Sequence, residues 1–504
     1  RKAQAKEERV TEGEYSILAY RLSQDGEKLV VSRSPSPLFD DTDESEIWIL
    51  NADGSSPLRL TENQVFESGA ALSNDGSQVA YITGASADFE DYHNRNLFLV
   101  PSGGGPSRLL LEEMPYEVTE LHWSGDGKSL FFNANTGIRR QLFRLELETE
   151  TFEPITQGDH GFRGWHYESS QDLHLVAIED NDNAGDLWLV PGNAQDPNQS
   201  RQVSHLFDDL PQRFLLPTVE AVRWKGADGQ QVEGLLFYPL DYQKGERYPL
   251  AVQTHGGPAA SDKFGFQRWN NYIQVLAARG WMVFRPNYRG STGYGDAFLR
   301  DMVGHYFNQA HLDVMTGVDM LIARGLVDGD RMIKMGWSAG GHMTNKIITF
   351  TDRFKAASSG AGAVNWISMY GQSDVRIYRT PWFGGTPWQK DAPIDVYWQN
   401  SPLADIWKVK TPTLVLVGEN DVRVPMAQSV ELYRALRTNG VETKLYVAPR
   451  QPHGFRELRH QLFKGNIELE WFEKWALGRE YTFEEAPHTE ESDEEEEEDE
   501  PLAP

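Results

Sequence analysis

Ser338 stands in Gly336-Trp337-Ser338-Ala339-Gly340-Gly341, between a short apolar run (Met332, Ile333, Met335) and a helix-compatible run. Strand, sharp turn and helix in that order are the setting of a nucleophile elbow, in which small residues two places either side of the serine let strand and helix approach closely. A serine hydroxyl is a poor nucleophile until an imidazole removes its proton and a carboxylate orients that imidazole. Downstream, Asp421 follows the apolar run TLVLVGEN, and His453 follows KLYVAPRQP. Nucleophile, acid and base thus come in a workable order, each at the end of a strand-like segment. The N–H groups of Ala339 and of Gly257, in His255-Gly256-Gly257-Pro258, are placed to meet an oxyanion. Each residue has a plainer reading: Asp421 as a cap for a helix near Pro425, His453 as a loop histidine, with Glu419 a rival acid and His255 and His342 rival bases.

These segments need a scaffold that brings separate strand ends together. From Val219 onward apolar strands (LAVQTHGG, MVFRPNYRG, MIKMGWS, KAASSGAG, TLVLVGEND, KLYVAP) alternate with helical runs at 267–279, 312–324, 340–350, 425–439 and 457–477. That alternation predicts a mostly parallel sheet covered on both faces, with functional groups at the carboxyl ends of its strands. The order Ser338, Asp421, His453 is the one α/β-hydrolases use.

The first two hundred residues follow another grammar. Ser23-Gln24-Asp25-Gly26, Ser73-Asn74-Asp75-Gly76 and Ser124-Gly125-Asp126-Gly127 recur about every fifty residues, each followed by strand-like runs, and a degraded fourth copy starts near Tyr167. Asp-Gly turns between short strands at such a period predict propeller blades of four strands each. Four blades are few for a closed ring. The expectation is that the chain, which opens at Arg1, starts partway through a larger propeller completed by an N-terminal fragment or a second chain. The division expected is a charged segment (1–14), blades (15–210), an α/β-hydrolase domain (211–480) and a disordered acidic tail (481–504).

Charge and composition bound the partners. The net charge is −27, and twelve acids without Lys or Arg follow residue 483. Such a block repels itself and lacks apolar residues to bury. The sign disfavours nucleic acid. No apolar run is long enough to cross a bilayer and no signal peptide opens the sequence, so the chain reads as soluble. The absence of cysteine excludes disulfides and thiolate metal sites and is compatible with an exported and with a cytosolic protein alike; a periplasmic or secreted setting is slightly favoured over a cytoplasmic one. No metal or cofactor is expected, and a homo-oligomer is left open.

The motifs HGGP at 255, NYRGSTGYG at 287, GWSAGG at 336, GENDVRVP at 418 and PHGF at 452 resemble the prolyl oligopeptidase family of serine peptidases. Together with MTN after the elbow and Gly384-Gly385-Thr386-Pro387-Trp388, they are most similar to its acylaminoacyl-peptidase and dipeptidyl-peptidase-5-like branch. The resemblance implies hydrolysis of short peptides under a propeller, with Ser338 as nucleophile, Asp421 as acid, His453 as base, and Gly257 and Ala339 as oxyanion donors. It departs from the family in Ala339 and His342, where aromatics are common, in the short propeller, and in lacking the acidic element that binds a free amino terminus in the dipeptidyl-peptidase-4 branch. Trp337, Trp366, Tyr370 and Trp382 are candidates for an aromatic pocket, against a plainer role in core packing. Arg289, Arg376 and Arg423 are candidates for holding a carbonyl or carboxylate, against ordinary ion pairing. An esterase and an inactive scaffold are the competing functions.

Overall fold

The Ser-x-Asp-Gly turns all close in one way. Ser73 Oγ donates to Asp75 Oδ1 (2.6 Å), Gly76 N–H donates to Ser73 O (2.9 Å), and Gln78 N–H returns to Ser73 Oγ (3.0 Å). Gly76 takes φ +73°, a region closed to most side chains. Ser73 and Ser77 together hold the Asp75 carboxyl down to about 2. The same bonds recur at Ser23–Asp25 and Ser124–Asp126, which is why the motif repeats with the period of the sheets.

The computed structural model describes residues 8–192, 199–267 and 272–483. Four antiparallel four-stranded sheets follow one another. They are β1 to β4 (Ser16–Leu22, Lys28–Ser34, Glu46–Asn51, Leu58–Arg59), β5 to β8 (Glu67–Leu72, Gln78–Ala85, Asp91–Pro101, Arg108–Leu109), β9 to β12 (Glu117–Trp123, Ser129–Asn135, Arg140–Glu146, Thr151–Pro154) and β13 to β16 (Gly161–Glu168, Leu173–Glu179, Asp186–Pro191, Arg201–Gln202). Their first hairpins converge. Gln24 bonds to Ser169, Asn74 to the carbonyls of Ser124 and Gly125, Gly125 N–H to Tyr167, and Arg21 reaches Leu121 O. Apolar layers fill the gaps between neighbouring sheets, with Phe132 and Phe143 stacked at 5.2 Å between the second and third.

The outermost faces differ from these packed ones. On β1, Tyr20 and Leu22 are exposed, Tyr20 at 77%, and Leu187 on β15 is also exposed. Residues Val10–Tyr15 lie over part of the first sheet's outer face, where Arg33 sits between the rings of Tyr15 and Trp48. Residues 1–7 and the acidic stretch from Glu484, the tail expected to be disordered, lie outside the described residues. Among the described residues no helix is long and apolar enough to cross a membrane.

Eight further strands form one sheet: β17 (Val219–Lys225), β18 (Gln231–Phe237), β19 (Tyr248–Thr254), β20 (Met282–Asn287), β21 (Val327–Trp337), β22 (Ala356–Gly360), β23 (Thr413–Gly418) and β24 (Thr443–Ala448). Their spatial order is β17-β18-β20-β19-β21-β22-β23-β24, parallel from β20 to β24. Alternate residues feed opposite cores. Leu250, Val252 and Met332 pack with helices Ala310–Ala323 and Ala339–Phe350, whereas Ala251, Val283 and Ile333 pack with Leu458–Phe472. The helical runs read from the sequence are present within a few residues of their expected ends; the first, expected over 267–279, is observed as Ile273–Ala278, with 268–271 outside the described residues. Short helices between β22 and β23, from Trp366 to Lys408, were not anticipated.

The 287–295 loop docks the two halves. Gly293 N–H donates to Asn94 Oδ1 (2.9 Å), Gly295 N–H to Pro115 O (2.7 Å), and Asn135 Nδ2 to Thr292 Oγ1 (3.0 Å). A Cβ on Gly293 would stand 2.5 Å from Gly137 N, so only glycine lets the backbones meet here.

Phe132→Ala should test the packing between sheets. Loss of a fully buried ring costs about 3–5 kcal/mol, so thermal unfolding should move several degrees lower while the far-ultraviolet signature of strand persists.

Candidate active site

Strand β21 runs into the helix Ala339–Phe350 through one residue, Ser338, held at φ 62° and ψ −122°. The turn is possible because nothing protrudes from its flanks. A Cβ on Gly336 would lie 2.3 Å from Gly340 O, one on Gly340 2.1 Å from Thr254 O, and one on Gly341 2.3 Å from Gly360 O. Ser338 N–H donates to Gly360 O (2.9 Å), so the serine is pinned from the β22 side as well. The strain at its backbone is thus imposed by packing, and the hydroxyl borders a cavity of about 820 Å³ between the sheets of the first half and the second.

Asp421 and His453 leave the neighbouring strands β23 and β24. Asp421 Oδ2 lies 2.8 Å from His453 Nδ1, while Oδ1 accepts Arg423 N–H (3.0 Å) and Val424 N–H (2.9 Å). Asp421 therefore closes its own turn and at the same time holds the imidazole of His453. Accepting from three N–H groups, the carboxylate requires the hydrogen on Nδ1, which leaves the Nε2 lone pair free. His453 and Ser338 border the same cavity. Trp337 Nε1 donates to His453 O (2.7 Å), its ring packed on Phe455 and against Gly360.

Gly257, at φ +127°, lies on the cavity wall, and the Cβ position of its neighbour Gly256 is 3.3 Å from Ser338 Cβ. Ala339 N–H is in the first turn of its helix, where amide hydrogens lack intrahelical acceptors. The rivals are occupied elsewhere. His342 is buried among Tyr306, Phe307 and Trp366 and pushed down to about 3 by burial, with Nδ1 on Ala363 O. His255 stacks on Tyr288 and contacts Gly256 O and Ser291, and burial lowers its pKa too. Glu419 accepts from Arg450 N–H at the surface.

The substrate candidates divide. Trp382 and Arg423 line the cavity, Arg423 paired with Asp374 (2.7 Å) and stacked over Phe39. Trp337 does not line it and instead steadies the His453 loop. Trp366 is buried behind Trp382 and Tyr306, and Tyr370 bonds to Thr380 and packs on Trp388 and Tyr397. Arg289 is also elsewhere. Its guanidinium is consumed by Asp313 and Asp228, with Asp301 nearby, an arrangement that raises its pKa despite burial. Arg376 joins the halves through Asp40 (2.6 Å).

Sequence reasoning missed Arg379, Tyr378, Phe39, Asp43 and Asp91, all on the cavity wall. Arg379 and Tyr378 belong to the unanticipated helical segment, and the others come from the first two sheets, where no local motif marks them. Arg379 is buried, donates to Ser373 Oγ (2.8 Å), and has no carboxylate partner among the described residues. Burial brings its pKa down to about 10. Burial, and then the neighbouring carboxylates of Asp91 and Asp40, pushes Asp43 up to about 7. Among the described residues no group of His and acidic side chains is arranged to hold a metal.

Residues 267–479 match the prolyl oligopeptidase family model. Residues 267–479 thus carry a domain of the prolyl oligopeptidase family. An uncharacterized peptidase YuxL of Bacillus subtilis is 33% identical over 311 residues, covering 61% of this chain and 46% of that protein. Dipeptidyl-peptidase 5 of Porphyromonas gingivalis is 26% identical over 437 residues, 86% of this chain and 62% of that one. The human acylamino-acid-releasing enzyme is 26% identical over 358 residues, 67% of this chain and 47% of that one. The chain thus spans between 46% and 62% of these relatives. In fold it is similar to the Pyrococcus horikoshii acylaminoacyl peptidase, with TM-score 0.77 at 22% identity, covering 92% of this chain and 72% of that one. The chain therefore has an acylaminoacyl-peptidase-like fold, with four-stranded sheets in its first half and an α/β region in its second.

Asp43 gives a pH-dependent signature. Its folded pKa lies above the ordinary carboxylate value, so its contribution favours folding most below about pH 4 and is lost as pH rises towards 7. The Tm of Asp43→Asn relative to the parent should therefore climb between those limits; a difference that stays flat with pH rejects this assignment.

Proposed function

We propose that the chain is a serine peptidase that hydrolyses short peptides through an acyl-enzyme. Ser338 attacks the scissile carbonyl, His453 Nε2 takes the hydroxyl proton and later returns it to the leaving amine, and Asp421 fixes the imidazole. The N–H groups of Gly257 and Ala339 meet the developing oxyanion, where one such donor is worth about 3 kcal/mol. Water then releases the acyl group with His453 acting again as base. The observation that carries this reading is the 2.8 Å contact between Asp421 and His453 beside a serine forced into a strained turn on the same cavity.

The cavity supports short substrates. It is closed on one side by sheets of the first half, and its wall mixes Phe39, Phe66, Tyr92 and Trp382 with a few charged groups. Arg379 suits the role of holding a peptide carbonyl or a terminal carboxylate, since it faces the cavity without a counter-ion among the described residues. Acylaminoacyl- or dipeptidyl-peptidase action is the finer reading, supported by the names of the relatives, and an ester is the alternative acyl donor. The exposed outer faces of the first and fourth sheets suit further blades, supplied by additional polypeptide or a second chain.

Two experiments test this. A fluorophosphonate should label the parent chain but not Ser338→Ala; Ser338→Ala should lose turnover of a blocked aminoacyl anilide, and Asp421→Asn should lose about 10³- to 10⁴-fold in kcat with the fold retained. Turnover by Ser338→Ala at the parental rate would end the acyl-enzyme reading, and a parental preference for simple esters over anilides would favour an esterase. Native mass measurement of the protein from its source should find the chain with companion polypeptide or as a longer form; the isolated 504-residue mass would count against added blades.

A further inference from the structure

Lys334 is fully buried on β21, four residues before the nucleophile. It follows the parity of Met332, so its side chain lies on the sheet face covered by the helix Ala339–Phe350. Its ammonium group has three hydrogens, and three acceptors surround it: Thr254 Oγ1 (2.7 Å), Met335 O (2.8 Å) and Thr344 Oγ1 (3.0 Å). Both threonine hydroxyls spend their own hydrogens on one carbonyl, Gly340 O, at 3.1 and 2.9 Å. Each threonine oxygen must therefore accept from the lysine, and the cluster is satisfied only when Nζ carries all three hydrogens.

No ion pair to Lys334 is found among the described residues, and burial pushes its pKa well below the ordinary lysine value. A leucine or isoleucine at this position would match its strand neighbours without burying an ammonium. What the lysine adds is a connection. Thr254 is the last residue of β19, three before Gly257, and Gly340 follows Ala339. The hydrogen-bonded ring Lys334–Thr254–Gly340–Thr344 therefore joins the loop that carries one oxyanion donor to the helix turn that carries the other.

We infer that Lys334 is a positioning residue that sets the separation of the Gly257 and Ala339 N–H groups. This rests on the acyl-enzyme reading above. Both donors have to lie within about 3 Å of an oxygen that becomes anionic only during reaction, so a small shift of either loop falls on the chemical step and spares ground-state binding. The inference does not make Lys334 a participant in proton transfer, since Thr254, Thr344 and backbone separate it from the cavity.

The test uses Lys334→Met, Thr254→Val and Thr254→Ser in the full chain. Three quantities are compared: kcat and KM for a peptide anilide, the affinity of a peptide aldehyde, and the affinity of the matching peptide alcohol. With the aldehyde, Ser338 Oγ adds to the carbonyl carbon, its hydrogen passes to His453 Nε2, and the former carbonyl oxygen becomes the anion between the two donors. The alcohol has no such oxygen. Lys334→Met and Thr254→Val should lower kcat by about 10- to 100-fold, keep KM within about twofold, and weaken the aldehyde by the same factor as kcat without moving the alcohol. Thr254→Ser, which keeps the hydroxyl, should restore the parental values. Unchanged kcat in the folded variants, or equal losses for aldehyde and alcohol, would overturn the inference. Should Lys334→Met not fold, the valine–serine pair at 254 decides the matter alone. Parental turnover by Ser338→Ala would instead remove the reading on which the inference rests.

Discussion

The backbone of β21 touches the backbone of the helix that follows it, and the rest of the catalytic half is arranged around that contact. Gly336 faces Gly340, Gly340 faces the end of β19, and Gly341 faces Gly360 and Gly362, all at separations that leave no room for a Cβ. A turn this tight cannot relax by moving one side chain, because no side chain sets it. The serine between them is held at positive φ as a result, and its hydroxyl is directed by the sheet as a whole. The adjoining strands β19 and β22, and β23 beyond β22, carry the segments that lie around it: Gly257 follows β19, Ser338 N–H bonds to Gly360 O at the end of β22, and Asp421 follows β23.

The supporting groups are spent economically. Asp421 uses one oxygen for its own turn and the other for His453, so the loop that presents the acid is closed by the acid itself. Trp337 stands immediately before Ser338 yet holds the His453 loop, through the carbonyl of His453. One side of the sheet thus fixes the imidazole plane and the carbonyl behind it, while the cavity side of the ring stays open.

Much of this could be read from residue order. The apolar strands, the Ser-x-Asp-Gly turns and the elbow glycines are local patterns in which a backbone need dictates residue type, and the structure places strands, turns and helices where those patterns fall. The wall of the cavity was not legible. Phe39, Asp43 and Asp91 lie far from Ser338 in the chain and reach its cavity through contacts between the halves, the 287–295 loop on Asn94, Pro115 and Asn135 and Arg376 on Asp40 among them. No spacing in the chain encodes that approach. The aromatic and basic candidates near the elbow were ambiguous for a different reason. A large ring or a guanidinium beside a motif serves equally well as substrate contact or as support, and Trp337, Trp366 and Arg289 are spent on His453 O, Tyr306 and Asp313 respectively.

Arg289 and Arg379 show what separates the two outcomes. Both are arginines within the catalytic half, both are buried, and neither stands in a pattern that predicts its partner. Arg289 meets Asp313 in a bidentate pair and Asp228 besides, so its charge is neutralised inside the protein and its donors are exhausted. Arg379 meets a serine hydroxyl and, at 3.4 Å, the carbonyl of Arg423, so its charge is left over at the cavity wall. Burying a cation is costly, and for Arg289 internal carboxylates meet that cost, whereas Arg379 has no carboxylate partner among the described residues. Counting donors against acceptors therefore sorts these two arginines where sequence position cannot, and of the two it is Arg379 that lines the cavity.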